Sequence, residues 1–306
     1  MATNNSVVIF GASGNVGKFA VPALLKAGAK VTLVTRKGSK TTFQYENATV
    51  VTADYSSQSE LVSIIRGHES VISLLSVEAL SLQRNLIDAA IKARATLFIP
   101  SEFGHDTTNE DVTSLLPVLG VKTEIIEYLQ EREKDGLNWT GIITALFFDW
   151  GLPQGNFGFD LKAGKATIWD GGNASFSAAN LDDISAAIVK VVTDPSARER
   201  YKNQHVYVSS VQTTQNEILA AAEEVTGKKF EVAQFDSEEA FAYTTKPLPP
   251  GYSPQLLAVL AALQLSKRGL SDYQARVNAG HNRFVINAKR NVRDVLKAVV
   301  EEEAKI

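Results

Sequence analysis

The sequence predicts an α/β protein: a doubly wound parallel sheet with a smaller, interleaved α/β lobe. Three observations predict this. Short β-branched runs alternate with helix-periodic segments through the first two-thirds of the chain, the order expected of a doubly wound sheet. The runs are almost wholly apolar instead of alternating, as in strands covered on both faces. A chain of 306 residues, 44% hydrophobic and 21% charged, has an ordinary globular composition that excludes disorder, collagen and coiled coil. At that length it can bury about three-quarters of its unfolded surface without a staple.

Taken in order, strands are expected near residues 7–10, 31–34, 49–52, 71–75, 96–99, 140–146 and 206–209, with helices over 16–27, 58–66, 82–94, 118–134 and 183–192. The first helix carries an apolar stripe at Val16, Phe19, Ala20, Ala23, Leu24 and Ala27, and Gly28 supplies its stop. Pro22 lies inside it and predicts a kink or a late start. From Trp150 onward the pattern loosens. A helix over 214–226 has a cap at Thr213 or Thr214, and residues 246–254, with Pro247, Pro249, Pro250 and Pro254, read as a loop. Apolar residues 256–267 read as a helix, and 292–304 close the chain with another. The division expected is residues 1–150 and 151–306, with segments near 180–210 returning to the first sheet.

Charge and composition narrow the function. A net charge of −3 gives no whole-chain pull toward nucleic acid or anionic lipid. The absence of cysteine excludes disulfides, thiolate metal sites and a cysteine nucleophile, and the four histidines show no metal-ligand spacing. No basic segment precedes the apolar run at 7–10, and no apolar stretch approaches 18 residues, so a cytoplasmic protein without a membrane or nucleic-acid partner is expected.

Gly11-Ala12-Ser13-Gly14-Asn15-Val16-Gly17 follows the first strand and opens the first helix. In that setting Gly11 permits the tight turn, Gly14 lets a pyrophosphate approach the backbone at the helix N-terminus, and Gly17 lets helix and strand pack closely. The motif points to a dinucleotide. Enzymes of this type that use NAD place an acid at the end of the second strand. This chain instead continues Thr35-Arg36-Lys37, two cations suited to an additional phosphate, so NADP(H) is the expected cofactor.

Ligands of such sheets lie beyond the carboxyl ends of the strands. The residues expected there are Asp54, Ser76 and Pro100 on the cofactor side. Glu102, Phe103, Phe148 and Trp150 are expected on the side of a small-molecule substrate. His105 could reach the same crevice, and Asp106 either pairs with Glu102 or caps a turn. Lys122 lies four residues after Val118 and four before Ile126, which directs it with the buried stripe. A lysine so placed is either an acid or base tuned by burial or a stripe-edge side chain that snorkels to solvent. No Tyr-x-x-x-Lys occurs, and Val118 stands where ordinary short-chain reductases carry the tyrosine.

The glycine loop, Arg36, Gln83, the Pro100-Ser101-Glu102-Phe103-Gly104 segment and Lys122 together resemble the NmrA-like, isoflavone reductase-like branch of atypical short-chain dehydrogenases. Phe148-Asp149-Trp150 and Asp182-Asp183-Ile184 are similar to fungal members. The resemblance implies a Rossmann domain, NADPH, and a catalytic acid/base at Lys122. It also implies reduction of a small aromatic or heterocyclic metabolite. Family members that only sense the dinucleotide, or that use the pocket for non-redox chemistry such as cyclisation, define the alternatives. Oligomeric state, monomer or homodimer, is left open.

Overall fold

The computed structural model describes residues 5–246, 248–249 and 253–304. Its elements run β1 (Ser6–Phe10), α1 (Asn15–Lys26), β2 (Lys30–Arg36), β3 (Ala48–Ala53), α2 (Gln58–Ile65), β4 (Ser70–Ser73), α3 (Gln83–Lys92), β5 (Leu97–Ile99), α4 (Glu110–Leu115), α5 (Gly120–Arg132), β6 (Asn138–Ile143), α6 (Phe148–Gly151), β7 (Phe159–Asp160), β8 (Lys165–Trp169), β9 (Phe176–Ala178), α7 (Leu181–Thr193), α8 (Pro195–Tyr201), β10 (Gln204–Ser209), β11 (Val211–Thr213), α9 (Gln215–Thr226), β12 (Glu231–Phe235), α10 (Ser237–Phe241), α11 (Pro254–Leu265), α12 (Tyr273–Asn278), β13 (Phe284–Asn287) and α13 (Val292–Glu303).

Eight strands form one sheet in the order β13-β10-β6-β5-β4-β1-β2-β3. β1 pairs in parallel with both β2 and β4, so the chain winds outward to β3 and then returns to the other side of β1. That reversal between β1 and β4 opens a crevice at their carboxyl ends. β1 is buried at all five positions. On one face Val8 and Phe10 pack with Leu61 and Ile65 of α2, Leu86 and Ile87 of α3, and Ile125 and Leu129 of α5.

The chain divides into two compact units. The first runs to Phe103 and adds Gly120–Ile142 and Ile184–Val206; the second comprises Gly104–Leu119, Ile143–Asp183 and the chain from Tyr207 onward. The expected break at Trp150 therefore falls at Ile142, and 104–119 leaves the first unit earlier still. The second unit holds the short sheets β12-β8-β7 and β11-β9. Its core gathers Phe148, Phe157, Phe159 and Phe176 with Val259 and Leu263 of α11 and Leu296 of α13.

Several local expectations are revised. α1 begins at Asn15 and continues through Pro22. Pro22 and Lys18, whose carbonyl loses its donor, are both exposed, so water replaces the missing bond. Phe19, placed on the buried stripe, is 42% exposed. The strand expected to 146 ends at Ile143, and Ala145 turns with φ +55. Thr214 caps α9 in a capping box with Glu217, and Ser253 caps α11 at Pro254. Of the proline-rich loop, Pro247 and Pro250 lie outside the described residues.

Candidate functional site

The end of β1 builds the first part of the site. Gly11 has φ +82, and a Cβ there would stand 2.4 Å from the Leu74 carbonyl oxygen at the end of β4. A Cβ at Gly17 would stand 2.1 Å from the Ala12 carbonyl oxygen. The protein's own packing demands both glycines. Gly14 differs: a Cβ there would meet one atom, the Gly11 oxygen at an ordinary 3.7 Å. Gly14 is the N-cap of α1, and no side chain caps that terminus. Among the described residues nothing requires a glycine at 14, whereas a ligand pressed against the open helix end would.

Gly11, Ala12, Ser13 and Gly14 line a cavity of about 200 Å³ together with Val34, Thr35 and Arg36, the loop residues Ser39, Thr41 and Phe43, and Tyr55, Leu74, Leu75, Ser76 and Ala79. Asn15, Val16 and Gly17 form the first turn of α1, with Val16 and Gly17 buried. The floor is rigid: the Tyr55 hydroxyl donates to the Val34 carbonyl at 2.8 Å and its ring meets Phe10 edge-on at 5.3 Å. Burial pushes the Tyr55 pKa up to about 12, so it stays a neutral phenol. Hydroxyls, a guanidinium and an uncapped helix end in one cavity suit a ligand carrying several phosphates.

Three residues expected on the cofactor side are not among those lining this cavity. The Lys37 ammonium donates to Glu60 at 2.5 Å. Asp54 accepts from the Ser56 amide and hydroxyl at 2.9 and 2.6 Å, and its neighbour Tyr55 faces the cavity instead. Pro100 is buried, its carbonyl accepting from the Glu102 amide at 2.8 Å. Ser39, Thr41 and Phe43 were not anticipated. Their loop has no regular periodicity, and its one available signal is the cluster of hydroxyl residues that begins at Ser39, three residues after Arg36.

The second part of the site is at the end of β5. The Ser101 hydroxyl lies 2.7 Å from that of Ser73 and accepts from the Leu75 amide at 2.9 Å, while the Ser101 amide donates to Gln83 at 2.8 Å. These bonds tie the turn after β5 to Leu75, a wall of the cavity. The next carbonyl, that of Glu102, accepts from the Lys122 ammonium. Lys122 is 7% exposed. It is buried for a reason other than the expected one: Val118 is 43% exposed and sits in a turn before α5, and the register that matters is Lys122, Ile125, Ile126 and Leu129. Desolvation lowers the Lys122 pKa, opposed by the negative charge of Glu102.

The residues expected beside a substrate divide. Phe103, after Glu102, is partly exposed and has φ +21. The Glu102 side chain is buried, its carboxylate 3.6 Å from Nε2 of His205. In the second unit Phe148 is wholly buried against Phe157 at 5.2 Å, so it is core and offers no wall. Trp150 there is 39% exposed, edge-on to Phe147. Also in that unit, His105 lies 3.4 Å from the Ser271 hydroxyl. Asp106 caps a turn through Thr108 and forms a buried ion pair with Arg276 at 2.7 Å, alongside the Tyr207 hydroxyl at 2.5 Å. Among the described residues no group of acidic and histidine side chains could hold a metal ion, and no helix is long and apolar enough to cross a membrane.

Known proteins resemble this chain in sequence and fold. The oxidoreductase aprR of Aspergillus flavus is 31% identical over 301 residues, 96% of this chain and 98% of that one. Eugenol synthase 1 of Petunia hybrida is 27% identical over 265 residues, 81% of this chain and 84% of its own. Among solved structures, an isoflavone reductase matches with TM-score 0.75 at 20% identity, over 97% of this chain and 99% of its own. The leucoanthocyanidin reductase–NADPH binary complex from Vitis vinifera matches with TM-score 0.75 at 19% identity, over the same shares. At that identity the two structures establish a common fold. The NmrA-like family model matches residues 3–266, a span that holds the glycine turn, Arg36 and Lys122, and the chain belongs to the NmrA-like family.

Proposed function

We propose that the protein is an NADPH-dependent reductase of a small aromatic or heterocyclic metabolite. The observation that carries the reading is the lining of one cavity by the glycine turn, the uncapped end of α1 and Arg36, with Thr35 and Arg36 in place of an acid at the end of β2. The residues fit the cofactor: Gly14 leaves the room a pyrophosphate needs, and Arg36 with the Ser39 and Thr41 hydroxyls suits a ribose phosphate. Relatives named as oxidoreductases, and the NADPH complex of a structural neighbour, support it.

Bound NADPH would supply a hydride. The chain's own contribution is to orient the dinucleotide and to manage a proton. Lys122 holds its proton at Nζ against the Glu102 carbonyl, in a buried position that lowers its affinity for that proton. It is suited to protonate the substrate atom on which charge develops. Phe103, adjoining that carbonyl, presents an aromatic surface to the substrate.

The test is titration calorimetry with NADPH and NADH, followed by turnover of a panel of aromatic enones, imines and ketones. Tighter binding of NADPH, and oxidation of it that Lys122→Ala abolishes, are the expected results. No NADPH uptake, or tighter binding of NADH, overturns the proposal.

A further inference from the structure

We propose that His205 is a positioning residue for Lys122, acting through Glu102. Glu102 is used twice. Its main-chain carbonyl accepts from the Lys122 ammonium, and its carboxylate lies 3.6 Å from Nε2 of His205 on β10. All three residues are buried, at 7%, 2% and 8% exposure.

The place of the imidazole is built by β6. The ring packs edge-on against Trp139, centroids 5.2 Å apart, and Trp139 is itself held by a 2.9 Å bond from Nε1 to Glu133. Beneath the ring lies Gly141, where a Cβ would stand 2.6 Å from the His205 Cδ2, so a glycine at 141 is what makes room for the histidine.

The turn that presents the carbonyl needs such an anchor. It is pinned at Ser101 by Ser73, Leu75 and Gln83, whereas at Phe103 it takes φ +21, a strained value for a bulky residue. Rotation of the peptide after Glu102 would relieve that strain and carry the carbonyl away from Lys122. A buried carboxylate lying 3.6 Å from an imidazole nitrogen that has no hydrogen-bond partner among the described residues resists the rotation by its attraction to that ring edge.

Other charges near α5 are engaged elsewhere. Arg84 of α3 stacks over Tyr128 and Asp88 accepts from its hydroxyl, while Glu78 is exposed; Glu124 and Glu127, on α5 itself, lie off the Lys122 stripe. Glu102 faces both Lys122 and His205 as the buried charge between them. His205 therefore fixes where the Lys122 proton is held and how tightly.

This inference rests on the reading of Lys122 as the proton-transfer group. Its test uses neither NADPH nor substrate, so it can fail or succeed independently of turnover. The full chain is labelled with ¹³C,¹⁵N-lysine, the Lys122 side-chain resonance is assigned by its loss in Lys122→Met, and its pH midpoint is followed by NMR. Glu102→Gln lowers that midpoint by about one pH unit, because the opposing charge is gone. His205→Leu displaces the resonance and lowers the midpoint, and His205→Gln, which retains an N–H donor, restores both toward wild type. Unchanged Lys122 signals in His205→Leu, with the other lysine signals native, overturn the proposal. Equal displacement by His205→Gln and His205→Leu overturns it as well. Should His205→Leu not fold, an unmoved midpoint in Glu102→Gln has the same consequence.

Discussion

Replacing Gly14 and Gly17 by alanine separates what the glycine turn does for the fold from what it does for a ligand. At Gly14 the backbone has φ −75 and ψ 178, which alanine adopts freely, and its Cβ meets one protein atom at 3.7 Å. Alanine is a poorer N-cap than glycine by about 1 kcal/mol. The stiffer unfolded chain returns about 0.4–1 kcal/mol. The net change in stability is thus under about 0.6 kcal/mol, a melting shift of roughly 1 °C or less for a chain of this size. The methyl group would project where a pyrophosphate meets the end of α1, so NADPH affinity falls by about tenfold or more, roughly 1.4 kcal/mol. At Gly17 the balance reverses. The Cβ would overlap the Ala12 carbonyl at 2.1 Å, a backbone atom that cannot step aside, and the cost is about 3 kcal/mol or more. Calorimetric titration and thermal melts of both variants decide the matter. If Gly14→Ala binds NADPH as tightly as wild type, or melts far below it, the assignment of this glycine to a ligand is wrong.

Arg36→Ala weakens NADPH by about 10–100-fold and leaves NADH within a few-fold, the loss expected of a charge-assisted phosphate contact; fluorescence titration of both nucleotides checks it. Lys122→Ala cuts turnover by roughly 10²–10⁴-fold with nucleotide affinity nearly unchanged, and steady-state kinetics beside calorimetry separate the two effects. Because the folded chain lowers the Lys122 pKa, the unfolded chain binds more protons. Wild-type stability relative to Lys122→Met should therefore rise as pH climbs from the lowered value toward 10.5, which chemical denaturation across that range measures. Asp106→Asn leaves the half-buried Arg276 beside a neutral partner and destabilises the protein by about 1–3 kcal/mol, visible as a lower denaturation midpoint.

The first unit was legible where local pattern and burial coincide. The run at 7–10 is apolar on both faces and that at 31–34 nearly so, because they are central strands, and the glycine turn announces its own geometry. The second unit was less so. β12 is Glu-Val-Ala-Gln-Phe, an edge strand exposed at four of its five positions, and carries no core stripe to read. Among site residues, Lys37 and Asp54 make bonds to Glu60 and Ser56 that their place after a strand does not reveal. An aromatic residue just after a strand suggests a ligand wall at Phe148. The fold spends it on the core, where Phe157 and Phe176 already cluster.

By itself the sequence determined the alternation of strands and helices, the turn that needs Gly11 and Gly17, and a lysine on an apolar helix stripe. These depend on neighbours within a few residues, whose periodicity and backbone freedom are visible in the chain. Tertiary structure decided the rest. It brought Arg36 and Gly14 to one cavity, started α5 at Gly120 so that Lys122 turns inward, and set Glu102 between Lys122 and His205. Those residues meet partners 20 to 103 positions distant, and the desolvation that tunes them exists only once the sheet and its helices have closed over them.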